Sequence, residues 1–114
     1  MGEEATVDLR LLQELAGGEP EVMKELITVF AADVRSLIEQ LKKSARREAF
    51  REIGQVAHTI KGAAGSIGAV RLEAEAGCLE RLARTGDSAA IITELDRIDL
   101  EFRGALECLG RVCT

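Results

Sequence analysis

The chain's one histidine, His58, lies in the run Arg51-Glu-Ile-Gly-Gln-Val-Ala-His-Thr-Ile-Lys-Gly-Ala-Ala-Gly-Ser66. On a helix, at about 100° per residue, Phe50, Ile53, Val56, Ala57, Ile60, Ala64 and Ile67 gather in an arc centred about 200° from the imidazole. That arc reads as a core stripe, so His58 faces solvent. Gly54, Gly62 and Gly65 fall within about 40° of His58 on the same wheel, and Arg51 lies close to that line. Lys61, three residues on, can bring its amine to the ring's outer nitrogen or to a group attached there. Three glycines inside one helix forfeit about 2–3 kcal/mol against alanine. A typical domain has only about 5–15 kcal/mol in total. Because these glycines point away from the stripe, they read as a bare collar that admits a partner, not as a seam for close packing within the fold.

Several chemistries fail on this face. No second histidine and no cysteine lies beside His58, so a metal centre is poorly supplied. A hydrolytic triad lacks both an acid to orient the ring and a nucleophile, and Glu80 reads as a solvated charge. What remains is the imidazole itself as nucleophile. An ordinary imidazole titrates at about 6.5 and is mostly neutral near pH 7, with a lone pair to offer. Attack on a phosphoryl group would give a phosphohistidine, to which Lys61 could add a charge-assisted hydrogen bond. Phosphoryl transfer asks mainly for positioning and charge neutralisation. An exposed histidine therefore suffices if a partner brings the rest of the site. Gln55, one turn earlier, is a candidate to orient the ring, and Arg51 to dock a partner.

The elements that must position this face are helices. Asp8 is placed to cap a short helix over 8–16, ended by Gly17-Gly18, with Leu9, Leu12 and Leu15 on one side. Pro20 suits the first position of a second helix, 20–43, whose Met23, Leu26, Ile27, Phe30, Val34, Leu37, Ile38 and Leu41 follow the three-four alternation of one apolar face. A third helix is expected over 47–67 and a fourth over 70–85, with Leu72, Ala76, Leu79 and Leu82 inward. The fifth, 88–110, is capped by Asp87 or Ser88 and shows Ile91, Ile92, Leu95, Ile98, Phe102, Leu106 and Leu109. No strand-like alternation competes. Four long amphipathic helices with short connections predict an all-α fold. Its core is an antiparallel up-and-down four-helix bundle with the short N-terminal helix as a cover.

Composition narrows the function further. The 114 residues carry a net charge of -5, which disfavours nucleic acid and anionic membranes as partners of the whole surface. Aromatic residues make up 3%, too few for base-stacking platforms. The cysteines, Cys78, Cys108 and Cys113, are odd in number and form no CxxC pair. That fits a reduced, cytoplasmic setting, with Cys78 and Cys108 expected as small buried hydrophobes. The opening MGEEATVD is acidic, with no apolar stretch of a signal peptide, and no run is long enough for a membrane span.

The run Ala57-His58-Thr59-Ile60-Lys61-Gly62, followed by Gly65 and Ile67-Gly68-Ala69, resembles the signature of histidine-containing phosphotransfer (HPt) domains. The likeness extends over nearly the whole chain, through Leu15-Ala-Gly-Gly-Glu-Pro-Glu21, Leu79-Glu80 and Gly86-Asp87. It implies one HPt domain over 1–114, with His58 phosphorylated on its outer nitrogen, Lys61 supporting the phosphoryl group and Gly62 keeping the approach open. It also implies partners: receiver domains of response regulators or hybrid kinases, whose aspartate exchanges the phosphoryl group in a multistep relay. Any Mg2+ is expected on the receiver, with no cofactor on this chain. Some members of the family place a basic residue near the site, where Arg84 stands here.

The expected protein is thus a monomeric phosphoryl carrier without autonomous catalytic activity. The alternative is a docking bundle that binds receivers or kinases through the same face and is never phosphorylated. An independent enzyme would need a phosphate cradle, a metal set or pocket-building loops, and the sequence shows none.

Overall fold

Helix-starting and helix-stopping residues cut the chain much as expected. In the computed structural model, which describes residues 6–112, five helices form: α1 (Leu9–Ala16), α2 (Pro20–Arg46), α3 (Phe50–Ile67), α4 (Val70–Thr85) and α5 (Ser88–Val112). The Asp8 carboxylate accepts from the Arg10 amide at 3.1 Å, capping α1. Pro20 opens α2. Asp87 accepts from the Ala90 amide at 3.1 Å and caps α5, which settles the choice between Asp87 and Ser88.

Each of α2 to α5 packs on its neighbour in sequence, and α2 closes the ring against α5. That is the up-and-down bundle. α1 lies against α2 as a cover. A helix of 27 residues, the length of α2, spans about 40 Å. It sets the 43 Å long axis of the molecule. Leu12, Leu41, Ile53, Ile60, Leu72, Leu79, Ile91, Ile98 and Leu109 are fully buried and form the centre of the core. Burying each such side chain contributes about 1.5–3 kcal/mol. Because Ile53, Ile60 and Ile67 are all taken by the core, the opposite side of α3 has to face outward.

Some boundaries and faces differ from expectation. α2 runs on to Arg46 and α3 begins only at Phe50, where 43 and 47 were expected. No glycine or proline marks this turn. Instead Glu48 itself adopts a left-handed conformation at φ 52°, and the Ala49 amide bonds the Ser44 carbonyl at 2.9 Å. Ser88 Oγ donates to the Glu48 carboxylate at 2.6 Å and ties the turn to the start of α5. Ile92 is not in the core but 57% exposed, because it sits off the stripe that Ile91, Ile98 and Phe102 define. Leu9 and Leu15 are likewise exposed while Leu12 and Ala16 carry the inner face of α1. Cys78 and Cys108 are free and half-buried, not enclosed.

The turn that matters most for function joins α3 to α4. Gly68 ends α3 at φ +79°, and a Cβ there would stand 2.7 Å from the Asp8 carbonyl. A side chain is thus excluded both by the backbone and by the close passage of the segment entering α1. The Asp8 amide donates to the Gly68 carbonyl at 2.6 Å. Only Gly68 and Ala69 separate the two helices. So short a link leaves little freedom in how α4 lies along α3.

Candidate functional site

His58 projects from the middle of α3 with 67% of its side chain exposed. Its Nδ1 lies 3.0 Å from Oε2 of Glu80, which reaches across from α4. The other oxygen of that carboxylate, Oε1, pairs with Lys61 Nζ at 2.9 Å. Hydrogen bonding from Lys61 and then from His58 outweighs partial desolvation and holds the Glu80 carboxyl below the usual glutamate range. An ionised carboxylate only accepts, so Nδ1 carries the hydrogen. The neutral ring then keeps its lone pair on Nε2, turned away from α4.

This corrects the expectation in three respects. Glu80 is not a solvated charge: its side chain is 19% exposed and bonded to both His58 and Lys61. The ring is oriented by an acid from the neighbouring helix and not by the Gln55 amide of its own. Lys61, expected at the outer nitrogen, is drawn instead to Glu80.

The glycine collar also divides. Around Gly62 there is open space, with nothing within 4 Å of a Cβ built there. Gly54, however, faces α4: a Cβ would stand 3.5 Å from that of Ala83. Gly65 lies beneath Glu73, whose carboxylate oxygen would be 2.8 Å from such an atom. Packing, set aside on direction, therefore reaches two of the three: Gly54 at ordinary contact distance from α4 and Gly65 under a movable carboxylate. The wheel treated the stripe as the whole of the buried surface. α4 packs along its flank and covers positions at the stripe's edge. Gly77 on α4, which sequence reasoning did not single out, belongs to the same seam, 3.5 Å from the Lys61 stem by the same measure.

Beside His58 a shallow groove of about 830 Å³ runs between α3 and α4, lined by Phe50, Arg51, Gly54, Gln55, Thr59, Glu80, Ala83 and Arg84 as well as the imidazole. The structure so gathers Arg51, Gly54, Gln55 and Arg84 with His58, while Gly62 and Gly65 lie outside the groove. Arg51 and Arg84 give its lining two cationic side chains. The arrangement is a nucleophile on an open face, with its inner nitrogen tied down and cations at hand for an anionic group.

A helical bundle that presents one such imidazole has the architecture of a phosphoryl carrier. The sequence matches the family model of the Hpt domain over residues 25–109, and the chain belongs to that family. Its fold is that of histidine-containing phosphotransfer protein B (HptB) from Pseudomonas aeruginosa PAO1. The TM-score is 0.87 at 21% identity, over 95% of this chain and 94% of that one. No curated protein matches the sequence. Membership makes the chain a phosphotransfer carrier of two-component signalling, and phosphorelay proteins the class of its partners. Among the described residues no helix is long and apolar enough to cross a membrane.

Proposed function

We propose that the chain carries a phosphoryl group on Nε2 of His58 and exchanges it with the aspartate of receiver domains. The observation that carries this reading is the hydrogen bond from Nδ1 to Glu80, which leaves the outer nitrogen as the free nucleophile on an exposed face. In the forward step the Nε2 lone pair attacks phosphorus of an aspartyl phosphate. The N–P bond forms, the P–O bond breaks, and the aspartate leaves as a carboxylate. No proton has to move, since Nδ1 keeps its hydrogen. The positive charge that develops on the ring is met by Glu80, and the charge on the phosphoryl oxygens by Lys61 when it exchanges one anion for the other. The reverse step returns the group to a second receiver.

Arg51, Gln55 and Arg84 are the residues of this chain that meet the receiver's acidic rim, and Gly62 leaves its approach open. In this reading any Mg2+ belongs to the receiver's site, where the aspartyl phosphate lies. The carrier works as a monomer in the cytoplasm and turns over no substrate by itself.

Incubation with a phosphorylated receiver tests this. The expected product is one acid-labile, base-stable phosphoryl group per chain, absent from His58→Gln with helicity unchanged. Labelling that persists in His58→Gln overturns the assignment. Relay output unchanged by that substitution would point instead to a docking bundle.

A further inference from the structure

The most anomalous group outside the site is Glu94. It lies on α5, is 2% exposed, and faces α4. Its Oε2 is buried with no hydrogen-bond partner, and the nearest cation, Arg97 of its own helix, is 3.8 Å from the other oxygen and itself largely in solvent. Glu75 and Cys78 of α4 act on it from across the seam, and Arg81 acts on the thiol. The buried positions of α2 and α3 carry no ionisable side chain. Two carboxylates cannot bond each other, as neither has a hydrogen. A proton on either carboxyl would turn that acceptor into a donor toward the other.

We propose that Glu94 and Glu75 hold one proton between them, making the α4–α5 seam a proton-binding site whose occupancy decides how tightly α4 is held. With the proton in place the pair is a neutral, hydrogen-bonded contact. Without it, two anions face each other at the seam with one solvent-exposed guanidinium nearby. Burial first, and Glu75 second, push the Glu94 carboxyl up to about 7, so the transition falls near neutral pH. The Cys78 thiol, raised by its own burial and by Glu94, stays protonated through that range and does not compete for the role.

Carbon-detected NMR of the glutamate carboxyls between pH 4 and 9 tests the site directly in the intact chain. One carboxyl is expected to titrate near pH 7, and its resonance to be missing from Glu94→Gln, the neutral isostere of the protonated form. In Glu75→Gln the midpoint moves down, because the anion that opposes ionisation is gone. A second measurement reads the latch. Amide protection in α4 and α5, corrected for intrinsic exchange, falls between pH 6 and 8 in the wild type and stays level in Glu94→Gln. The proposal is overturned if every glutamate titrates in the ordinary carboxylate range, or if the protection change persists in Glu94→Gln. Both readouts are independent of phosphorylation, so they stand or fall apart from the carrier reading.

Discussion

Two glutamates flank α4 and behave in opposite ways. Glu80, on its open side, accepts from Lys61 and His58 and is held below the usual range. Glu94, pressed on the other side from α5, accepts from no donor through its buried oxygen, faces another acid, and is raised to about 7. The side chains are identical and lie in adjoining seams of one bundle. Donors, not position in the fold, keep the first ionised to lower pH. Desolvation without donors makes the second an acid that ionises near neutrality. The two seams along α4 therefore differ: Glu80 of α4 holds its charge beside His58, and Glu94 of α5 brings a variable one to the core.

The contrast breaks most visibly in stability. Glu94 has a folded pKa above its unfolded value, so its contribution is complete below about 4.5 and is lost as pH climbs to about 7. The loss amounts to about 3 kcal/mol over that interval. Urea unfolding in a His58→Gln background, where the imidazole does not titrate, should show the fall, and Glu94→Gln should remove it. Glu80 has the opposite sign: its folded pKa is depressed, so its contribution is present above the ordinary glutamate value and lost as pH drops through the folded one.

Next in size is the effect of Glu80 on transfer. Glu80→Gln keeps an acceptor for Nδ1–H but removes the charge that meets the cationic ring. Single-turnover transfer at saturating receiver is expected to slow about fivefold, the scale of a solvent-screened charge pair. In Glu80→Ala, which removes the acceptor as well, nitrogen NMR of the His58 ring should show a larger share of the other tautomer. An unaltered tautomer ratio would mean that something other than Glu80 holds the ring. Lys61→Ala leaves folding nearly untouched, and phosphohistidine hydrolysis should quicken about threefold, again within the range of exposed pairs.

Much of this molecule was legible before its coordinates. The stripe of Ile53, Val56, Ile60 and Ile67 marked α3 and turned His58 outward, because a 3.6-residue period has one solution for which side is wet. The turn at Glu48 was not legible, since a glutamate at φ 52° carries none of the usual punctuation. Ile92 misled because apolar character alone does not say that a residue lies on the stripe. Glu80 escaped for a different reason. A helical wheel describes one helix, and this carboxylate comes from the next. Yet the signal was present in Gly68. A two-residue link makes positions equidistant from Ala69 meet across the hairpin, and the contacts follow that rule: 58 with 80, 61 with 77, 65 with 73. Fixing the turn first would have found the acid, the seat of the lysine stem and the carboxylate over Gly65.

The smallest effect separates the glycines. Gly62 is helical and meets nothing, so Gly62→Ala should stabilise the fold by about 0.5–1 kcal/mol through helix propensity alone, read as a higher urea midpoint. Gly65→Ala should gain less, since Glu73 has to shift from 2.8 Å, a cheap movement for a flexible carboxylate. If a receiver approaches over the open side, the alanine at 62 costs little in transfer, while Gly62→Gln slows it far more than it harms folding. Equal transfer rates for Gly62→Gln and wild type would place the approach on the Arg51–Arg84 side of the imidazole, and the glycine at 62 would then need another explanation.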